Sequence, residues 1–190
     1  MNTPAHIVAN LLVLAPKDKP RFQLVTVVGA IVPDLPIFLF YFLEKVVWGT
    51  PEYLIWSHQY YQEGWQNFID LFNSLPLMAL GLLIAWWVQS KSGLLLFGSM
   101  MVHVLGDFPL HHDDAHRHFF PLSDWRFHSP FSYWDPQHYG NFVAPLEMIM
   151  VIVGSVVLFR YSQSVIGKFL IGCIGISYFM YLGYVFWIWV

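Results

Sequence analysis

The chain has 190 residues, of which 57% are hydrophobic, 19% aromatic and only 11% charged. A soluble domain has about 25% charged residues, and a soluble fold of this size could not bury so much apolar surface. The composition therefore predicts a single integral membrane domain over residues 1–190, with the lipid bilayer as a partner. The net charge of −3 and the scattered basic residues give no sign of a nucleic-acid partner. The single cysteine, Cys173, excludes an intrachain disulfide and a zinc site made of cysteines.

The first predicted element is a short apolar helix in residues 3–15. Thr3 followed by Pro4 is typical of a helix start. The run is too short to cross a bilayer comfortably, because crossing takes about 20 residues. A cleaved signal peptide is the alternative, although no basic residue precedes the apolar run. Residues 16–21 are predicted to form a basic turn.

A long apolar segment follows in residues 22–43, and Pro33, Asp34 and Pro36 interrupt it. An acid at mid-membrane depth costs at least ~2.5 kcal/mol, so Asp34 is expected to face a polar interior and to have a function. Each proline removes an amide donor and is expected to loosen the helix. The alternative is that Asp34 ends a shorter helix at the membrane surface.

The rest of the chain alternates between polar connections and apolar helices. Residues 44–70 are rich in tryptophan and tyrosine, which suits an interfacial helix or a partly buried loop at the headgroups. Further apolar helices are predicted over residues 71–90, 94–110, 142–159 and 169–190. The predicted fold is all-α, a polytopic membrane helical bundle of about five to six helices that carries a polar segment rich in histidine and aspartate.

The distribution of basic residues predicts an orientation. One side of the membrane would carry Lys17, Lys19, Arg21, Lys91, Arg160 and Lys168, and the other Lys45, Arg117 and Arg126. The more basic side is expected to be cytoplasmic. The long polar segments 44–70 and 111–141 would then lie on the outer face.

The polar segment 99–141 is the strongest candidate for a functional site. It contains seven of the nine histidines, namely His103, His111, His112, His116, His118, His128 and His138. His103 and Asp107 are four residues apart on a predicted helix, so they share a face and could chelate one cation. His112 and His116 repeat this spacing.

Each histidine alone has a simpler interpretation. A lone histidine on an apolar helix, such as His6, is usually a packed core residue, and His58 in a loop suits the surface. A histidine-rich loop could also be solvated or buffer metal weakly. However, a desolvated carboxylate such as Asp107 costs several kcal/mol unless it is paired or bound to a cation. Imidazole and carboxylate ligands without thiolate suit zinc best, with manganese or iron as alternatives, and the donors suffice for one to three ions.

These segments resemble the membrane-bound metal-dependent hydrolases of bacterial inner membranes. The motifs that carry the resemblance are PAHIVANLL, GAIVPDLP, HVLGD and FHS. More distantly, HVLGDFPLHH and WSHQYY are similar to segments of zinc-dependent phospholipases C and single-strand zinc nucleases, and His6 and Asp34 fall in the order of their early ligands. The resemblance implies two or three zinc ions, a water activated by a carboxylate, and a location in a bacterial inner membrane.

The predicted function is metal-dependent hydrolysis of a phosphoester in a lipid or another membrane-proximal small molecule. The predicted metal ligands are His6, Asp34, His58, His103, Asp107, His112 and His116. Asp34 is also the predicted catalytic residue, because a carboxylate beside a metal-bound water can orient or deprotonate it. Arg117 or Arg126 is expected to bind phosphate oxygens of the substrate.

Two other functions fit the same residues. Histidines next to aromatic loops such as SPFSYWDP would suit a non-enzymatic membrane protein that binds or carries a metal or haem. A structural membrane protein whose histidines sense pH near 6.5 is the other alternative. Tightly bound zinc or manganese would favour the hydrolase, and a porphyrin absorption band would favour the haem protein.

Overall fold

The computed structural model describes residues 1–15 and 19–189, with side chains described up to residue 184. These residues form helices and no strands, which confirms the all-α prediction. The α-helices are α1 (Thr3–Leu14), α2 (Pro20–Ile31), α3 (Leu35–Phe42), α4 (Glu52–Leu54), α5 (Glu63–Phe72), α6 (Leu75–Trp87), α7 (Lys91–Asp107), α8 (Gly140–Tyr161) and α9 (Val165–Trp189). Lys17 and half of the predicted basic turn, residues 16–18, lie outside the described residues.

Four helical segments are long and apolar enough to cross a membrane. They are Pro20–Val47, Glu63–Trp87, Gly140–Tyr161 and Val165–Tyr184. The shorter helices α1 and α7 pack among them, and α1 is also apolar. The chain therefore has the helices of an integral membrane protein, whereas its orientation and the membrane it occupies stay predictions.

The short helix α1 lies at the centre of the bundle. It packs between α2 and α8 and also touches α7, while α7 packs between α2 and α6, and α9 packs against α8. Ala5 and Val8 of α1 form a buried cluster with Val151 of α8. Because its neighbours are protein on several sides, α1 does not need the length of a membrane-spanning helix.

The predicted break near Asp34 is present in the structure. The chain leaves α-helical geometry in the 3₁₀ turn Val32–Asp34 and resumes it in α3. The carbonyl of Pro33 accepts a hydrogen bond from the Asn73 side chain at 3.2 Å. A side chain from another helix thus binds a carbonyl at the break, as is required where lipid offers no hydrogen bonds.

A buried polar layer fixes the register of α1, α2 and α7. The Asn10 side-chain amide donates to the Ser99 carbonyl at 2.7 Å and to the Ser99 hydroxyl oxygen at 2.8 Å. The Ser99 hydroxyl in turn donates to the Thr26 carbonyl at 2.6 Å. Hydrogen bonds of this kind connect helices inside a membrane, because the hydrocarbon cannot replace them.

Gly29 allows α2 and α7 to approach closely enough for these bonds. A Cβ atom at Gly29 would lie 2.5 Å from the Leu96 carbonyl oxygen and 2.6 Å from Ser99 Cβ. Both distances are too short for any side chain. In contrast, a Cβ atom at Gly98, on the same helix pair, would have no neighbour within 4 Å.

These two glycines give a matched stability prediction. Gly29→Ala is expected to lower the free energy of unfolding by about 1–3 kcal/mol, because it forces α2 away from α7. Gly98→Ala is the same substitution at a position with open space around it. The stability of this variant should therefore equal or exceed that of the wild type. Unfolding in detergent measures both, and equal stability of the two variants would contradict the close packing of α2 on α7.

Candidate metal centre

Three buried side chains converge one helical turn from the polar layer. His6 and His103 are each four residues from a member of that layer, on the same face of α1 and α7. His6 Nε2 lies 2.9 Å from Asp107 Oδ1, and His103 Nε2 lies 3.1 Å from Asp107 Oδ2. Each of the three residues offers a ligand atom, and these atoms lie within 4.8 Å of one another. The predicted meeting of His6 with His103 and Asp107 is therefore present in the structure.

The tautomer of His103 determines what its other nitrogen can bind. Nδ1 lies 2.7 Å from the Ala30 carbonyl oxygen, which can only accept, so Nδ1 carries a hydrogen. In the neutral ring, Nε2 then presents a lone pair. That lone pair faces Asp107 Oδ2 at 3.1 Å and Asp34 Oδ1 at 3.4 Å, and Nε2 makes no hydrogen bond of acceptable geometry. The two carboxylates are compensated either by a proton on Nε2 or by a cation bound between Nε2 and their oxygens.

The stacking of the two histidines limits how many of their rings are protonated. The rings of His6 and His103 are 3.6 Å apart at an interplanar angle of 13°. Two protonated rings this close would repel by about 5 kcal/mol at an effective dielectric of 20. At least one ring is therefore neutral, which is the form that binds metals.

Asp34 joins the same group of atoms from the 3₁₀ turn. Its Oδ2 accepts a hydrogen bond from the Thr3 hydroxyl at 2.5 Å, while Oδ1 faces His103. Because Asp34 and Asp107 contact the same nitrogen, two carboxylates distant in sequence share one site. The Asp34 side chain is 16% exposed and that of Asp107 only 4%. Asp34 is thus the more accessible acid.

His111 extends the group beyond Asp107. Its Nε2 lies 3.3 Å from Asp107 Oδ1 and its Nδ1 lies 2.9 Å from Asp114 Oδ2. Burial alone lowers the pKa of His111, but the two carboxylates outweigh this effect and raise it to about 9. The positive charge of the His111 ring helps to neutralise Oδ1 of Asp107. The Met1 amino group binds the same oxygen. Oδ2, on the other side of the carboxylate, faces His103.

A second buried acid, Asp70, holds the loop after α7. It accepts hydrogen bonds from the Arg117 amide at 3.1 Å, from Arg117 Nε at 2.5 Å and from Arg126 Nη2 at 3.4 Å. His116 Nδ1 lies 3.5 Å from Asp70 without a hydrogen bond, and the His116 ring is 5.5 Å from that of His111. His116 therefore lies beside the centre, next to His111 and Asp70.

The remaining hydrogen bonds of the two arginines are also internal. Arg117 binds the side chains of Asp124 and Asn67, and Arg126 binds the Ala115 carbonyl and the Gln66 side chain. These contacts give both arginines a structural role in the loop. Their predicted role in binding phosphate stays a prediction.

His58 and His112 lie outside the convergent group. His58 is exposed in the π-helical turn Ile55–Gln59, and its ring is 3.5 Å from the Gln62 side-chain amide. His112 donates from Nδ1 to the Ser129 carbonyl at 2.6 Å and stacks on His138 with the rings 3.5 Å apart. Within residues 1–15 and 19–184, neither contacts Asp107, and their roles as ligands stay predictions.

The sequence analysis did not select His111, Asp114, Asp70 or Glu147 as site residues. His111 and Asp114 had a detectable signal, since they follow Asp107 by four and seven residues. Asp70 and Glu147 are each isolated acids in apolar surroundings, as Asp34 is. Glu147 lines a cavity of about 750 Å³. Tyr133 lines the same cavity and lies 5.1 Å, ring to ring, from His111, so the cavity adjoins the centre.

None of the protein families, curated proteins or solved structures with which the chain was compared matches it. The resemblance to membrane-bound metal-dependent hydrolases therefore stays a prediction that depends on its motifs.

His118 gives a prediction about pH. Burial lowers the pKa of His118 to about 4, and His116 adds to this effect. The unfolded chain therefore binds a proton at about pH 6.5 that the folded chain does not bind until about pH 4. Stability should fall by up to about 3 kcal/mol between these values. His118→Phe should weaken this acid-dependent loss in unfolding experiments in detergent, because phenylalanine keeps the ring and has no proton to bind.

The exposed histidine His128 provides the control, and His128→Phe should keep the wild-type pH dependence. If His118→Phe also keeps it, then protonation of His118 does not limit stability in acid.

Proposed function

We propose that the chain is a membrane-bound metal-dependent hydrolase that cleaves a phosphoester of a lipid or of another small molecule near the membrane. The observation that carries the proposal is the convergence of His6, His103 and Asp107, whose ligand atoms lie within 4.8 Å of one another. The position of His103 Nε2 supports it, because this nitrogen faces two carboxylates and would present a lone pair to a cation in the neutral ring. Hydrogen bonding of His103 Nδ1 to a backbone carbonyl is also typical of metal-binding histidines.

The donor atoms indicate the type of metal. Two imidazole nitrogens and carboxylate oxygens without a thiolate suit zinc, with manganese and iron as alternatives. His6, His103 and Asp107 would hold the first ion, with Asp34 beside them. A second or third ion would need further ligands, and the nearest pairs are His111 with Asp114 and His116 with Asp70; His111 would have to lose a proton to bind one. A divalent ion bound here would lower the pKa of a water ligand and polarise a phosphoryl oxygen.

Burial assigns different roles to the two carboxylates. Asp107 is 3% exposed and contacts three histidines, so it suits a ligand and has little access to water. Asp34 is more accessible and is oriented by Thr3. It can therefore accept a proton from the attacking water, as a general base must lie within reach of that proton.

The adjoining cavity favours an amphiphilic substrate. It is lined by residues of α8 and α9, two of the helices that are long enough to cross a membrane. A cavity of about 750 Å³ falls in the ordinary range for small-molecule sites, roughly 300–1,000 Å³. Most of its lining residues are apolar or aromatic. A lipid phosphoester could place its chain there and its phosphate at the metal centre.

The first test is metal content. His103→Ala and Asp107→Ala should each remove bound metal from the purified protein, because each deletes one of three converging ligands. Elemental analysis in detergent measures this, with folded yield recorded by gel filtration. His128→Ala is the matched control, since His128 is exposed and lies outside the group. If both variants keep the full metal content of the wild type, the pair does not bind the metal.

The second test separates binding of the metal from catalysis. Asp34→Asn should retain metal and lower the rate of phosphoester hydrolysis at least 100-fold, which is the low end of the contribution expected from a general base, about 10²–10⁴-fold. Chelator should abolish the wild-type rate, and added zinc should restore it. A metal-loaded wild-type protein that hydrolyses neither phosphomonoesters nor phosphodiesters would contradict the proposed function.

A further inference from the structure

The cavity beside the metal centre contains one buried acid. Glu147 lies in the second turn of α8, about 10 Å along the helix from Gly140, and is 6% exposed. Its Oε1 accepts hydrogen bonds from the Asn2 side-chain amide at 2.8 Å, the Asn2 backbone amide at 3.3 Å and the Tyr178 hydroxyl at 3.4 Å. All these donors are neutral.

No residue in the described part of the chain forms an ion pair with Glu147. A buried carboxylate without a cation is costly, because neutral donors replace only part of its hydration. The two carboxylate oxygens of Glu147 also accept different numbers of hydrogen bonds. Oε1 has three donors, whereas Oε2 has only the Asn2 backbone amide at 3.4 Å. Since a carboxylate can accept about four hydrogen bonds, Oε2 has capacity for another donor.

Aromatic side chains line the same cavity as this acid, and one of them, Tyr178, contacts it. Tyr133, Trp134, Tyr178 and Tyr181 line the same space. The faces of such rings attract cations. Ala144, Met148 and Leu182, which also line the cavity, are suited to hydrocarbon. An acid, aromatic rings and apolar walls together fit a molecule with a positive group and an apolar chain.

From these observations we propose that the cavity binds the primary ammonium group of an amphiphile and that Glu147 receives it. A primary ammonium offers N–H donors to Oε2, which a quaternary ammonium lacks. A metal ion fits less well, because Glu147 is the only acid, and no histidine is present, among the lining residues that are described.

The cavity and the metal centre are close enough to bind one molecule. Asn2, which donates to Glu147, directly follows Met1, whose amino group binds Asp107. On the other wall, the Tyr133 ring is 5.1 Å from the His111 ring, and His111 contacts Asp107. The substrate class is thus a phosphoester lipid with an amino-alcohol headgroup. This assignment as a substrate rests on the proposed function, whereas binding of the ammonium group does not.

The experiment compares three headgroups on the same short acyl chains. Dihexanoyl phosphatidylethanolamine, phosphatidylcholine and phosphatidylglycerol, each below its micellar concentration, are titrated into the full chain in detergent with chelator present. Chelator prevents turnover and removes contacts between phosphate and metal, so the titration reports on the cavity alone. The ethanolamine lipid should bind at least tenfold more tightly than the glycerol lipid and more tightly than the choline lipid.

Glu147→Gln should bring the affinity for the ethanolamine lipid to that for the glycerol lipid. Glu63→Gln, at an exposed acid where α5 begins, should leave it unchanged. Equal affinities for the three lipids in the wild type would overturn the proposal, and this comparison needs no variant to fold. Unchanged binding of the ethanolamine lipid by folded Glu147→Gln would overturn it too. Selective binding by a protein that hydrolyses no phosphoester would contradict the proposed function alone.

Discussion

The negative charge of the buried Asp107 carboxylate has to be neutralised by its neighbours, and the centre of this structure depends on this constraint. Asp107 is 3% exposed and ends α7, where the helix dipole adds further negative potential. His6 from α1, His103 from α7 and His111 from the following loop all contact it. Removing such a charge from water costs several kcal/mol. The positions of α1, α7 and the loop therefore depend on the same carboxylate.

A proton and a metal ion would neutralise the charges of Asp34 and Asp107 to different extents. A proton on His103 Nε2 can form one good hydrogen bond, yet that nitrogen faces both Asp34 and Asp107. A divalent ion bound here would neutralise two carboxylates and would leave the stacked rings of His6 and His103 neutral. Helix register supports this arrangement, because the Asn10–Ser99–Thr26 layer fixes α1, α2 and α7 one turn away. Packing in the bundle thus brings the side chains of His6, His103 and Asp107 together.

Regular helices made part of this site predictable from the sequence. The spacing of His103 and Asp107 puts both on one helix face, and Asp34 was conspicuous as an acid between prolines in an apolar segment. The loop after α7 has no such period, so its adjacent histidines could not be distinguished, and His111 contacts Asp107 where His112 was predicted to bind metal. Only the tertiary structure shows that Asp70 binds the two arginines, since it lies more than 40 residues before them.

X-ray absorption at the zinc edge, measured on the purified protein after zinc loading and removal of free metal, tests the central claim most directly. The account predicts a coordination shell with two imidazoles at about 2.0–2.1 Å and carboxylate oxygen at about 2.0–2.2 Å. The imidazole signal should disappear or fall in His103→Ala. A shell of oxygen atoms alone, or a protein that retains no zinc, would contradict the proposal that a metal ion binds His6, His103 and Asp107 together.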